Sequence, residues 1–119
     1  MSEPKESVPP IDLATLPTVP CTCGTTRRGF LTEGRGVCSL HLVDIRADSR
    51  THYHRRLTEV YYFLECGPDA QMQLDGEFRH VKPGLCILIP PGVRHRAIGR
   101  MKVVIVASPK FDPSDEWLD

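Results

Sequence analysis

An Asp-Gly pair at 75–76 stands between two short runs, AQMQL before it and EFRHV after it. Both central residues of a two-residue hairpin loop of this kind take positive φ, and Asp-Gly does so at little cost. Residues 70–81 are therefore predicted to form a tight β-hairpin. Similar punctuation recurs. Pro83-Gly84 makes another turn, and LCILI runs into Pro90-Pro91-Gly92, which ends it because proline has no N–H to give to a ladder. RRGFLTE, VCSLHLVDIR, EVYYFLEC, RHRAIG and MKVVIVAS complete a set of short runs rich in β-branched and aromatic residues. Helical periodicity is absent until the end, where Asp112 can cap a single turn with Pro113 at its first position. The fold class is all-β, a sandwich or a barrel.

Residues 1–24 carry Pro4, Pro9, Pro10, Pro17 and Pro20, which suits an extended arm. Ile11, Leu13 and Leu16 give this arm enough apolar surface to lie against something, as an edge segment or as a strand given to a partner subunit. The expected organisation is an arm over 1–24, a β-barrel over 25–108 and a tail over 109–119. In the tail, Phe111, Trp117 and Leu118 must pack over the barrel or across a dimer.

The chain has 119 residues, with fifteen basic and fifteen acidic side chains. Such a balance removes the electrostatic reason to expect nucleic acid or an anionic membrane as a partner. No apolar run approaches the roughly 18–20 residues that cross a bilayer. The start, MSEPKESVPP, lacks the apolar stretch of a secretory signal, so a cytoplasmic location is expected. Five cysteines in such a chain are read as buried thiols. Cys38 and Cys86 lie in apolar runs and are read as small hydrophobes; Cys21 and Cys23, in CTCG, are read as structural rather than as a metal pair or a strained disulfide.

The chemistry concentrates in HYHRRLTE, residues 52–59. Residues two apart on a strand share a face, so His52 and His54 make a two-toothed clamp of imidazoles. Four residues then let the chain turn before Glu59 supplies a charged oxygen, and His95 can enter from a separate hairpin. Three histidines and a carboxylate form a nitrogen and oxygen donor set without sulfur. It suits one divalent transition metal ion (Fe, Mn, Ni, Co, Cu or Zn) rather than calcium or magnesium. A six-coordinate ion would keep two positions open for water or substrate. His41 and His80, as isolated histidines, are read as hydrogen-bonded surface or core residues.

HYHRRLTE resembles the first motif of the cupins, and GLCILIPPGVRH resembles the second, with Gly84, Pro90, Gly92 and His95 at matching spacings. The similarity departs at Arg46, Cys66 and Gly99, which touch turns and packing rather than the four donors. The resemblance implies a small single-domain cupin with a double-stranded β-helix, or jelly-roll barrel. It implies His52, His54, Glu59 and His95 as metal ligands near one mouth. Small cupin-like chains are often dimers, so a homodimer is expected.

Tyr61 and Phe63 follow Glu59 on the same face, and Val93 and Ala97 flank His95, so a mostly apolar pocket with one phenol is expected. It suits a small-molecule ligand, and Tyr61 is the candidate catalytic residue. Arg94 and Arg96 should point away from His95; if an arginine reaches the pocket, Arg50 or Arg55 is expected. Two functions remain open. One is a metal-dependent enzyme of the oxygenase or the isomerase and epimerase type, acting on a small organic molecule, an anionic one if an arginine reaches the pocket. The other is a non-catalytic module that binds or senses a small molecule or the metal.

Overall fold

Alternating apolar residues and frequent turns produce eleven strands among the described residues, 7–21 and 24–118 of a computed structural model. They are β1 (Val19–Cys21), β2 (Gly24–Gly29), β3 (Ser39–Ile45), β4 (His52–His54), β5 (Thr58–Cys66) and β6 (Gln71–Leu74). Then follow β7 (Glu77–His80), β8 (Cys86–Ile89), β9 (His95–Ile98), β10 (Met101–Ser108) and β11 (Glu116–Leu118). One sheet has the order β1-β2-β3-β10-β5-β8 and the other β11-β4-β9-β6-β7. Every pairing is antiparallel. The architecture is a jelly-roll barrel.

The period of two decides what is inside. Ser39, His41, Val43 and Ile45 of β3 are buried, as are Met101, Val103, Ile105 and Ala107 of β10. On β5 the buried set is Glu59, Tyr61 and Phe63. Met72, from the second sheet, turns into the same core, while Gln73 faces outward and accepts a hydrogen bond from Arg96 Nε at 2.6 Å. The other face of the first sheet is also apolar. Leu88, Val60, Val106 and Leu40 form one cross-strand row, and Cys86, Tyr62, Val104 and Leu42 form the next. Cys86 is therefore exposed rather than buried as expected, because its register with Tyr62 puts it on the outer face.

The Asp75-Gly76 hairpin forms as predicted, with φ of 47° and 86° and Leu74 opposite Glu77. Its tip is tied to the segment leading into β9. Arg94 N–H donates to Asp75 Oδ1 at 2.8 Å, and Asp75 N–H donates to the Arg94 carbonyl at 2.7 Å. The hairpin thus helps to place the residue before His95.

The proline-rich segment lies on its own chain. Leu13–Thr15 form a 3-10 turn capped by Asp12, and the Arg27 guanidinium donates to the carbonyls of Ala14 and Leu16. β1 is the edge strand beside β2. Cys23 lies outside the described residues. At the other end, the single turn expected from Asp112 and Pro113 is a 3-10 turn, Pro113–Asp115, in which the Asp112 side chain accepts from Ser114 N–H. The sequence did not announce the strand that follows: β11 pairs with β4, so Trp117 is opposite Tyr53. Among the described residues no helix is long and apolar enough to cross a membrane.

Candidate metal centre

β4 is only three residues long, yet it puts His52 and His54 on one face. His95 opens β9 directly opposite His52, with ring centroids 4.2 Å apart. The turn before β9 needs Gly92 at φ +90°, and Gly92 N–H donates to the His54 carbonyl at 2.7 Å. That bond fixes the turn to the histidine strand. Glu59 comes from β5 in the opposite sheet, across the loop 55–57. One buried carboxylate shapes this loop: Asp115 accepts the N–H groups of Arg55 (3.1 Å), Arg56 (3.0 Å) and Leu57 (3.1 Å).

The four groups expected to meet do meet. One donor atom from each of His52, His54, Glu59 and His95 lies within 4.8 Å of all the others. Glu59 Oε1 is 3.0 Å from His54 Nε2 and 3.2 Å from His95 Nε2. These are ion-pair distances without hydrogen-bond alignment, and all three buried atoms lack a hydrogen-bond partner. Each ring is held from behind. The Nδ1 atoms of His52, His54 and His95 face the carbonyls of Arg50 (3.0 Å), Asp115 (3.0 Å) and Val93 (2.9 Å). A carbonyl can only accept, so each Nδ1 carries a proton, and each ring in its neutral form turns its Nε2 lone pair inward. Lone pairs and a carboxylate crowded together repel unless a cation lies among them. This donor set fits a divalent transition ion, and the carbonyl bonds are the supports that metal-binding histidines use.

Without a metal, the same crowding shifts proton affinities. Burial disfavours the Glu59 carboxylate, but the His54 and His95 rings outweigh it and hold its pKa well below the usual range. Burial also disfavours charge on His54, yet Glu59 and the Asp115 carbonyl raise its pKa above the ordinary histidine value. Burial and then the His95 ring lower that of His52.

The cluster borders an open cavity. Tyr61, Ala97 and Ile105 line it, and the Tyr61 ring meets His95 edge-on at 6.1 Å between centroids. Phe63, expected in the wall, is in the core with 0 % exposure, and Val93 packs against that core. Arginine placement corrects the sequence reading. Arg50 is exposed, and the Arg55 guanidinium carbon lies over Trp117, 3.7 Å from the ring centroid. The arginine in the wall is Arg28, from the inward face of β2. His41 lines the cavity too, hydrogen-bonded to Ser39 Oγ at 2.8 Å, and burial and then the nearby Arg28 charge lower its pKa to about 4. His80 is exposed. Sequence reasoning missed Glu116, whose carboxylate lines the cavity 3.7 Å from His52 Nε2. Its only signal was proximity to the predicted terminal turn.

The family pattern described as the Cupin domain matches residues 39–106, more than half of the chain. This chain belongs to the cupin family. A protein from Planctomyces limnophilus has 37 % identity with this cupin and a TM-score of 0.89, the alignment covering 92 % of this chain and 96 % of that one. Streptomyces PAC13, solved with uridine, has 16 % identity, a TM-score of 0.79 and coverage of 91 % and 88 %. PAC13 is described as a nucleoside dehydratase. Oxalate decarboxylase from Bacillus subtilis has 12 % identity and a TM-score of 0.74, over 91 % of this chain and 31 % of that one. None of the curated protein sequences matches this chain.

Asp115 is the support that can be tested without a metal. Burial alone would raise its pKa, but the three backbone N–H groups and Arg56 bring it below the usual carboxylate value. Its stabilisation is present above about pH 3.9 and is lost as pH falls through the lowered value. Asp115→Ala leaves three backbone donors without their acceptor and is expected to cost about 2–4 kcal/mol in denaturant unfolding. Asp115→Asn, which keeps an acceptor oxygen, should cost less; equal stability of the alanine variant and the parent would contradict this role.

Proposed function

We propose that this cupin is a metal-dependent enzyme acting on a small organic molecule, of the oxygenase or the isomerase and epimerase type. His52, His54, Glu59 and His95 would hold one divalent transition ion. The observation that carries the reading is the set of three backbone-anchored imidazoles with inward Nε2 atoms around Glu59, on the wall of an open cavity. A purely structural metal site is usually closed. When bound, the ion would supply Lewis acidity or, if redox-active, electrons for dioxygen chemistry. Enzymes of the same fold, including a nucleoside dehydratase and an oxalate decarboxylase, support a catalytic role.

The chain's own groups supply proton transfer. Tyr61 presents a phenol from the wall beside His95, and Glu116 presents a carboxylate beside His52. Ala97 and Ile105 give the intervening wall an apolar surface. Homodimerisation through the outer face of the first sheet completes the reading. Its two apolar rows leave Leu88 63 % and Tyr62 42 % exposed, which a second copy would cover.

Purified protein is expected to carry about one transition ion per chain by elemental analysis, with most of it lost in His52→Ala and in His95→Ala. Retention by both variants would refute the ligand set. Because the His54 pKa is raised, the metal-free centre holds a proton there at and below the ordinary histidine pKa. Metal uptake should release that proton, and affinity should fall below about pH 6. Calorimetry in buffers of different ionisation enthalpy measures the release; pH-independent uptake between about pH 5 and 8 would oppose it.

Anaerobic loading with iron(II), followed by oxygen-consumption and isomerisation screens on small acids and phenols, tests catalysis. Tight binding without turnover would leave a binding module. For a turned-over substrate, Tyr61→Phe or Glu116→Gln should lower kcat about a hundredfold with metal content unchanged. Unchanged kcat in both would remove these roles. Sedimentation equilibrium should give a dimer that Leu88→Arg dissociates; a monomeric parent would end the dimer proposal.

A further inference from the structure

The part of the cavity wall built by β2 and β3 carries polar groups that the metal centre does not use. Thr26 and Arg28 are two apart and share the inward face of β2, and Arg28 is directly opposite His41 on β3. Thr26 is 3 % exposed, and neither its Oγ1 nor Arg28 Nε, both buried atoms, has a hydrogen-bond partner. Among the described residues no carboxylate pairs with Arg28, whose guanidinium lies over the Phe111 ring, 4.7 Å from the centroid. An aromatic face meets only part of a half-buried cation's demand for negative charge. Glu59 cannot meet the rest, because it is committed to the histidines.

His41 completes the group. Ser39 Oγ accepts the Phe111 N–H at 2.8 Å, and His41 Nε2, also at 2.8 Å, is the acceptor within reach of the hydroxyl's own buried proton among the described residues. That leaves the ring proton on Nδ1 as a neutral donor. One cation with two neutral donors balances one negative charge spread over two oxygens. A guanidinium fork matches that planar geometry, whereas a phosphate dianion would remain half uncompensated.

The geometry points to a carboxylate-binding subsite formed by Arg28, Thr26 and His41, which makes the ligand of this cavity an organic acid. The subsite itself stands without the metal; only the position of the acid's reacting end rests on the function proposed above. Arg28, His41, Ile105 and Tyr61 form one cross-strand row on the inner face. At roughly 4.8 Å per strand, the row spans about 14 Å of backbone, and its side chains converge inside the curled sheet. A small acid held at Arg28 would thus extend along the row toward Tyr61 and the histidines.

The probes are benzoate, its neutral isostere benzamide, and inorganic phosphate, titrated into the full chain both chelator-treated and metal-loaded. Benzoate is expected to bind both forms, and benzamide about tenfold more weakly or worse. Arg28→Met should lose about tenfold or more in benzoate affinity with metal content unchanged, and Arg28→Lys should lose less. Benzoate binding that is indifferent to Arg28→Met but vanishes with the metal would overturn the subsite and leave the metal centre standing. Failure of the chain to take up metal, with Arg28-dependent benzoate binding intact, would do the reverse. Tighter binding of phosphate than of benzoate would overturn the carboxylate assignment. Should Arg28→Met misfold, the Arg28 Nε–H resonance of the parent chain decides: it shifts as benzoate saturates the subsite, and a stationary resonance refutes the proposal.

Discussion

A neutral imidazole has one lone pair to offer, and at each of three histidines a backbone carbonyl settles which nitrogen carries it. The carbonyls of Arg50, Val93 and Asp115 hold the Nδ1 protons of His52, His95 and His54. Without those bonds each ring could flip or change tautomer, and the inward convergence on Glu59 would be one arrangement among several. Two of these carbonyls lie two residues before their own histidines, so strand geometry provides them locally. The third comes from residue 115, far along the chain, and it is the one that makes the centre a tertiary feature.

Asp115 does two separate things from one position. Its main-chain oxygen orients His54, while its side chain gathers the N–H groups of residues 55–57. The loop it gathers spans the gap between sheets, from the strand with two histidines to the strand with the carboxylate. Buried N–H groups in a tight loop need acceptors, and a carboxylate serves several at once. The separation of His54 from Glu59 is therefore set by hydrogen bonding to a remote residue as much as by the loop's own length.

Much of this was legible in the sequence, for reasons that are local. Asp75-Gly76 demands a two-residue hairpin whatever surrounds it. A His-x-His pair on a strand shares a face by geometry, and Pro90-Pro91-Gly92 must break one strand before His95 begins another. What could not be read depends on which strands become neighbours. Arg28 turns inward because β2 pairs with β3 in a register that puts it opposite His41, and nothing in RRGFLTE reports that register. Arg55 and Arg50 looked better placed because they are close in sequence to the histidines, but the return of β11 lays Trp117 under Arg55 and takes it out of reach. Glu116 was hidden for the same reason: its value comes from pairing with His54, sixty-two positions earlier in the chain.

The pairing of β11 with β4 also sets an order of events during synthesis. Domains emerge from the ribosome amino-terminus first, and most of this barrel can close once residue 108 is free. The histidine strand still lacks its outer neighbour then, and the loop beside it lacks its acceptor. Assembly of the centre thus waits for a late-made segment, so a nascent barrel would pass through an interval in which its walls exist but His54 and the loop beside it lack their support.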